Sequence, residues 1–538
     1  MPPAEKGLSD PRPGRLRARL RGFLLVALAA QVAILAAQET GFLSQLLAVP
    51  SRLGVAASAA PGSSVPLLLG VLVVSLLWAR RFGSGSFAGR LGGAGLAQMA
   101  LLGLVSVGVA LATGRFVPAA GAVALVLSGA AALGAGRGRE VPAAERVRHS
   151  PWDALSAVVV ATLFVPAFFP YIHFDAKAIW ACRAFGMPSG FFEALASCWQ
   201  PNYPPLFSTL LALGVSDPLF EGRLSSVLVV LFFALFLRDR LERLWPEGAA
   251  PALLFVLATV HVWQGAAMYY ANVPLMAFLS GGLLLALGLP AGGRAATASE
   301  TDLVWGALCL AAAVLVRPDG IYYLAAASLA LLLARLPGGP RLPLLPLGAA
   351  AASYAAWLLR PGWLKSMGSF LEGSPDGWRA LAPGPAEAAG VVLSEFVSSW
   401  QGQWLSHKGL GATLYAVVAA GVTDLWLGFS EAAEDRNLEA EKRFYGLVTL
   451  ASLAAVVACF AVFPFISDPV AAVQPYEYTD YRLCYRNFVR VGLGRMTIHL
   501  LPFYVLYVLA VLRPPSSRTN TRTTASATGT SSGSASDG

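Results

Sequence analysis

The feature that most constrains this chain is the recurrence of apolar stretches near the length at which a helix crosses a bilayer, about 20 residues. They lie near 22–38, 65–79, 93–113, 116–136 and 152–169, then 219–237, 252–269, 273–289, 303–316 and 321–335, and finally 343–359, 411–430, 445–465 and 497–513. In hydrocarbon every backbone donor and acceptor must be satisfied internally, so such runs read as helices. Several are short, and the pairs around 270 and 318 read equally as single broken helices, which gives about 12–14 spans. Composition agrees: 56% of residues are hydrophobic, 13% are charged and the mean hydropathy is +0.62, more apolar surface than a soluble core of this length requires. The expected class is therefore an all-α polytopic membrane bundle.

Charge sets the orientation. Lys6, Arg12, Arg15, Arg17, Arg19 and Arg21 precede the first run, and by the positive-inside rule they place the N-terminus in the cytoplasm. Alternation then puts Arg80 and Arg81, the cluster from Arg137 to Arg148, Arg238 with Arg240 and Arg243, Arg335 with Arg341, and the tail with Arg513 all on that side. Four regions follow: a basic cytoplasmic segment 1–21, N-terminal spans over 22–150, a main region 151–513 with outer loops 170–217, 360–410 and 466–496, and a Ser/Thr-rich cytoplasmic tail 514–538. That tail has no apolar period and is expected to be disordered. The excess of 39 Lys plus Arg over 30 Asp plus Glu thus reports topology, and no nucleic-acid partner is expected. Abundant Ala, Gly and Arg suit a GC-rich bacterial genome, which points to the cytoplasmic membrane with the chemistry facing outside.

The first outer loop opens with Tyr171-Ile172-His173-Phe174-Asp175-Ala176-Lys177-Ala178-Ile179-Trp180. A carboxylate at the mouth of an apolar helix can be tuned by burial and by nearby cations, so Asp175 reads as a general base or, equally, as the cap of an interfacial helix. In such a helix Trp180 would anchor at the interface, with Lys177 and Arg183 toward headgroups. Trp199, Tyr203, Pro204 and Pro205 read as a rigid re-entrant turn, or as stacking faces for a sugar and the wall of a lipid groove. Cys182 and Cys198 share this loop, and a disulfide between them stays open.

Together, Phe174-Asp175-Ala176-Lys177-Ala178-Ile179-Trp180 and Tyr203-Pro204-Pro205 resemble the first outer loop of the GT-C class of polytopic glycosyltransferases, which includes the protein O-mannosyltransferases and the aminoarabinose transferases of lipid A. Tyr269-Tyr270-Ala271-Asn272-Val273-Pro274 is similar to that class's aromatic-Ala-Asp-x-Pro segment, with Asn272 where relatives commonly carry Asp. Arg317-Pro318-Asp319-Gly320 is similar to its basic-x-acidic-Gly turn, and Gly494-Arg495-Met496-Thr497-Ile498-His499 to its Arg-led final span. The resemblance covers about 150–510 and rests on the order of these segments rather than on any one of them.

The resemblance implies transfer of a sugar from a polyprenyl-phosphate donor to an acceptor hydroxyl on a glycan, lipid or protein. Asp175 is then the base, and cations hold the leaving phosphate. Arg495 is the first choice for that phosphate, because a guanidinium grips phosphate through parallel donors. His499, one turn on, reads as a second contact or as a histidine bonded to a neighbouring helix. Lys408, beside Trp400, Trp404 and His407, and Arg486, in the aromatic and charged stretch 476–490, could reach the same phosphate or belong to interfacial belts and solvated loop. Arg317 and Asp319 are expected to pair and fix the turn at Gly320, or else to join His173, Lys177, Trp180, Trp199, Tyr203 and Asn272 along a substrate and lipid groove. No protein metal site is expected; a divalent cation, Mg or Mn, held by Asp175 and another carboxylate stays open, since some relatives use one. The rival readings are a transporter or flippase of lipid-linked saccharide, which should show two matching halves, and a surface-polysaccharide polymerase or ligase.

Overall fold

The computed structural model describes residues 12–38, 65–135, 150–167, 176–198, 203–213, 222–267, 270–290, 298–334, 344–360, 385–402, 412–428, 436–466, 486, 489, 492–493 and 495–513. Among these residues the architecture is all-α, without strands. His173, Asp175, Trp199, Lys408 and the 514–538 tail lie outside the described residues, as does the side chain of Lys177.

Among the described residues three helices are long and apolar enough to cross a membrane: Phe87–Thr113, Asn437–Phe460 and Arg495–Leu512. Shorter apolar helices include Pro118–Gly134, Pro246–Leu257, Asn272–Leu287 and Gly320–Ala334. The difference from the longer expected runs has local causes. The run at 252–269 divides into Pro246–Leu257 and Val260–Ala267, because the chain turns at Ala258 and Thr259. The run at 303–316 is short already; its helix, Glu300–Val316, ends where expected, since Arg317 adopts an extended backbone ahead of Pro318. Helix starts are marked by side chains that supply the acceptors the first turn lacks: the Ser86 hydroxyl accepts from the Gly89 N–H at 3.1 Å, and Ser299 from the Asp302 N–H at 3.0 Å.

The Asn272–Leu287 helix is the centre of the bundle, and every one of its residues is buried. A helix apolar on all sides has no solvent face to offer, and this one is enclosed by Phe87–Thr113, Gly222–Leu244 and Glu300–Val316. Glycine lets these helices approach closely. A Cβ at Gly92 would meet the backbone of Phe232 and Phe236 on the Gly222–Leu244 helix, and one at Gly306 would come within 2.9 Å of the Ala286 nitrogen. Gly92→Val is therefore expected to cost about 1–3 kcal/mol by overpacking. Gly108→Ala, with open space around its added methyl, should be neutral. Thermal unfolding of the two variants in one detergent checks the contrast.

The two ends of the bundle differ in chemistry. At one end Arg21 donates to the Leu512 carbonyl at 3.0 Å, Arg238 pairs with Asp153 at 2.7 Å, and Arg243 pairs with Asp239 at 2.9 Å. The Asp239 carboxylate also accepts the Ser86 N–H at 2.7 Å, tying the start of the Phe87–Thr113 helix to the end of Gly222–Leu244. At the other end the chain enters Asn272–Leu287, leaves Glu300–Val316, enters Gly320–Ala334 and enters Arg495–Leu512. Those four helix ends carry the residues considered next.

Candidate functional site

Four segments far apart in sequence converge where these helix ends meet. Asn272, 1% exposed, is the link between two of them: its Oδ1 accepts a hydrogen bond from Arg317 Nη1, and its Nδ2 donates to the Arg495 carbonyl at 3.3 Å. Arg317 also donates through Nε to Asp319 Oδ1 at 2.9 Å, forming an ion pair across the turn at Pro318. The second carboxylate oxygen of Asp319 lies 3.6 Å from His499 Nδ1. Burial alone would raise the Asp319 carboxyl, but Arg317, and after it His499, hold it below the usual aspartate range. For Arg317, burial opposes the charge and Asp319 more than offsets it, so the guanidinium is raised.

His499 is fully buried and meets the edge of Tyr323 at 4.8 Å between ring centroids. Tyr323 in turn donates to the Met496 carbonyl at 2.9 Å, and Ser280 donates to the His499 carbonyl at 3.3 Å. The hydrogen bond between His499 and the Asn272–Leu287 helix thus runs through its backbone carbonyl; neither ring nitrogen has a hydrogen-bond partner among the described residues. Arg495 sits at the outer margin, half-buried, with its guanidinium 4.4 Å above the centre of the Tyr270 ring.

A second layer holds Tyr203 against this cluster. The Arg317 guanidinium lies 5.7 Å from the Tyr203 ring centre, and Trp180 packs on the same tyrosine at 5.7 Å and on Phe207 at 5.4 Å. Trp180 is 2% exposed, so it is a core residue rather than the interfacial anchor expected from helical spacing. Arg183 corrects in the same direction: it is buried, donates to the Tyr203 carbonyl at 2.8 Å and turns away from any headgroup layer. Burial pushes its guanidinium down to about 9. Cys182 and Cys198 form a disulfide, which closes the helical segment that carries Arg183. Replacing both cysteines by serine is expected to cost about 3 kcal/mol, the chain-entropy value for a loop of this size, where the pair lies 16 positions apart. Chemical denaturation with and without reductant reads this out.

Of the residues singled out from sequence, Tyr203, Asn272, Arg317, Asp319, Arg495 and His499 come together, and Trp180 backs them from beneath. Arg486 does not join them; it pairs with Glu395 of the Pro385–Gly402 helix. The chain matches no family model, no curated protein and no solved structure. Two participants had no role assigned from sequence. Tyr323 follows Asp319 by four residues, a spacing that puts both on one helical face. Tyr270 stands beside Asn272 in its motif. Arg183, expected toward headgroups, is buried instead, and nothing in its neighbours distinguishes a buried arginine from a surface one.

The arrangement has a clear division of labour. Asp319 and Asn272 occupy Arg317, which makes it a structural cation. Arg495 is half-buried, and its guanidinium stacks on the face of Tyr270. A guanidinium presents planar paired donors, and phosphate is the anion they match best. Among the described residues no group of three His, Cys, Asp or Glu is arranged to hold a metal ion.

Proposed function

We propose that this chain is a polytopic membrane glycosyltransferase of GT-C type, with about 12–14 spans and both termini cytoplasmic. It transfers a sugar from a polyprenyl phosphate to an acceptor hydroxyl at the outer face. The observation that carries this reading is the convergence of Tyr203, Asn272, Arg317 with Asp319, and Arg495 with His499. Those residues come from four separate segments of the resemblance, and nothing in their spacing requires them to meet. The membrane part is supported by the three long apolar helices and by bare apolar side chains such as Val26, Val126 and Leu425, each more than half exposed. It is also supported by the charge asymmetry of the bundle. The Arg21 and Arg243 end and the Arg495 end lie at opposite ends of helices that run the length of the molecule.

In this reaction the Asp175 carboxylate takes the acceptor hydroxyl proton while the acceptor oxygen attacks the anomeric carbon. The bond from that carbon to the phosphate oxygen breaks, and the phosphate leaves with the electron pair. Polyprenyl phosphate is a weak base, so no general acid is needed, and Arg495 offsets the charge as it grows. Asn272 suits this scheme better than aspartate would. An aspartate could accept from Arg317 but would set a second acceptor against the Arg495 carbonyl, displacing the strand of chain that carries the phosphate ligand.

The test is a reconstitution. Purified protein in vesicles is given polyprenyl phosphates carrying labelled hexose, aminosugar or pentose together with glycan, lipid and peptide acceptors that carry free hydroxyls, and release of free polyprenyl phosphate is followed. At least one donor should be cleaved, and Arg495→Ala should slow cleavage by about two orders of magnitude. Movement of an intact donor across the bilayer without cleavage would instead identify a flippase, and no cleavage of any donor would overturn the proposal.

A further inference from the structure

At the opposite end of the bundle lies a groove that the transfer reaction does not use. It has a volume of about 260 Å³ and runs between the Arg12–Gln38, Pro246–Leu257, Ala412–Gly428 and Leu501–Leu512 helices. We propose that it binds one acyl chain of an anionic phospholipid from the leaflet on the arginine-rich side. This rests on the membrane part of the reading above and not on glycosyl transfer.

The groove has the polarity gradient of a lipid. Its mouth is formed by Arg21 and Trp245, with the guanidinium 4.7 Å above the indole. From there the wall continues through Leu24 and Leu28 on one side and Phe255 on another, over about 10 Å of helix at 1.5 Å per residue. That depth is lined by aliphatic and aromatic side chains and takes a chain rather than a headgroup. Thr413, 1% exposed, also lines the groove, and its hydroxyl has no hydrogen-bond partner.

Charge at the mouth selects the sign of the headgroup. Among the described residues that line the groove, Glu247 is the single carboxylate and Arg21 the single cation. Arg15, Arg17 and Arg19 on the preceding turns, and Arg513 just past the last helix, tip the balance positive. Arg17 is held at this end by its bond to the Val511 carbonyl at 3.4 Å. Leu25 lines the groove and is itself 48% exposed, so the groove is open on the Arg12–Gln38 side and a lipid can enter sideways from the bilayer.

Native mass spectrometry of the full chain, with phosphatidylglycerol and phosphatidylcholine of identical acyl chains, tests the assignment. Phosphatidylglycerol should be retained about fivefold more than phosphatidylcholine, the scale of one interfacial arginine. Arg21→Gln should remove that preference, and Val508→Trp, which fills the groove, should remove retention of both. Should Val508→Trp fail to fold, Ala416→Leu narrows the opposite wall and should weaken retention at an unchanged melting temperature. Equal retention of the two lipids would overturn the proposal, as would free oleate displacing phosphatidylglycerol, or a folded groove-filling variant that still holds it. None of these outcomes depends on donor cleavage, so failure here and failure of the transfer reading are separable.

Discussion

Asp175→Asn should reduce cleavage of the lipid-phosphate sugar by about two to four orders of magnitude, the range a positioned general base contributes. The amide keeps the shape of the carboxylate but replaces one acceptor oxygen with a donor and cannot take the acceptor's proton. Because Ala176–Ala181 and the disulfide-closed segment after it pack through Trp180 on Tyr203, the exchange should leave that platform in place. The measurement is turnover in reconstituted vesicles, paired with thermal unfolding of the same sample. Full turnover by a folded Asp175→Asn protein removes this residue as the base. Loss of turnover together with loss of folding is distinguished by the melting curve, and Asp175→Glu, which retains a carboxylate, should recover part of the rate.

Arg317→Met carries the largest expected effect on stability. It removes the cation from a buried pair and leaves Asp319 with His499 alone at 3.6 Å, while Asn272 loses its donor. Breaking one partner of a buried ion pair costs about 3–5 kcal/mol, because the remaining charge is left uncompensated. The double variant Arg317→Met, Asp319→Leu removes both charges and should recover much of that loss. Denaturant titration of the single and double variants checks the sign. The pH dependence follows from the same pair. The Asp319 carboxyl is lowered in the folded protein, so its contribution is complete above the ordinary aspartate value of about 3.9 and disappears as pH falls through the lowered one. In Arg317→Met that acid limb should move to higher pH.

What the sequence makes legible is the helix content and the order of the segments that meet. Apolar runs locate most helices because an uncharged stretch of this length has few alternatives. The Arg317 and Asp319 pair is legible too, because two residues apart around a proline leaves them little else to reach. The pairing of Cys182 with Cys198 is not, since spacing alone does not bring two thiols together. Burial of Trp180 and Arg183 is hidden for a related reason. Helical spacing gives the direction a side chain points, whereas the cover over it comes from Tyr203 and Phe207, on a different segment. Asn272 read as a departure from an acidic pattern; the structure gives it two partners of opposite demand, one donor and one acceptor, which an amide meets and a carboxylate does not. The shortened helices were hidden at Ala258 and Thr259, where neither glycine nor proline marks the turn.

The clasp between Arg21 and the Leu512 carbonyl joins residues 491 positions apart. A ribosome adding about 5–20 residues per second needs roughly 25 to 100 s to cover that distance. Throughout that interval the face of the Arg12–Gln38 helix that meets Leu501–Leu512 has no cover, and its side chains must be screened by lipid or by the insertion machinery. Ribosome stalling late in the message, or a stop codon just ahead of Leu512, should therefore harm the beginning of the protein first, and a protease site placed near residue 21 would report it.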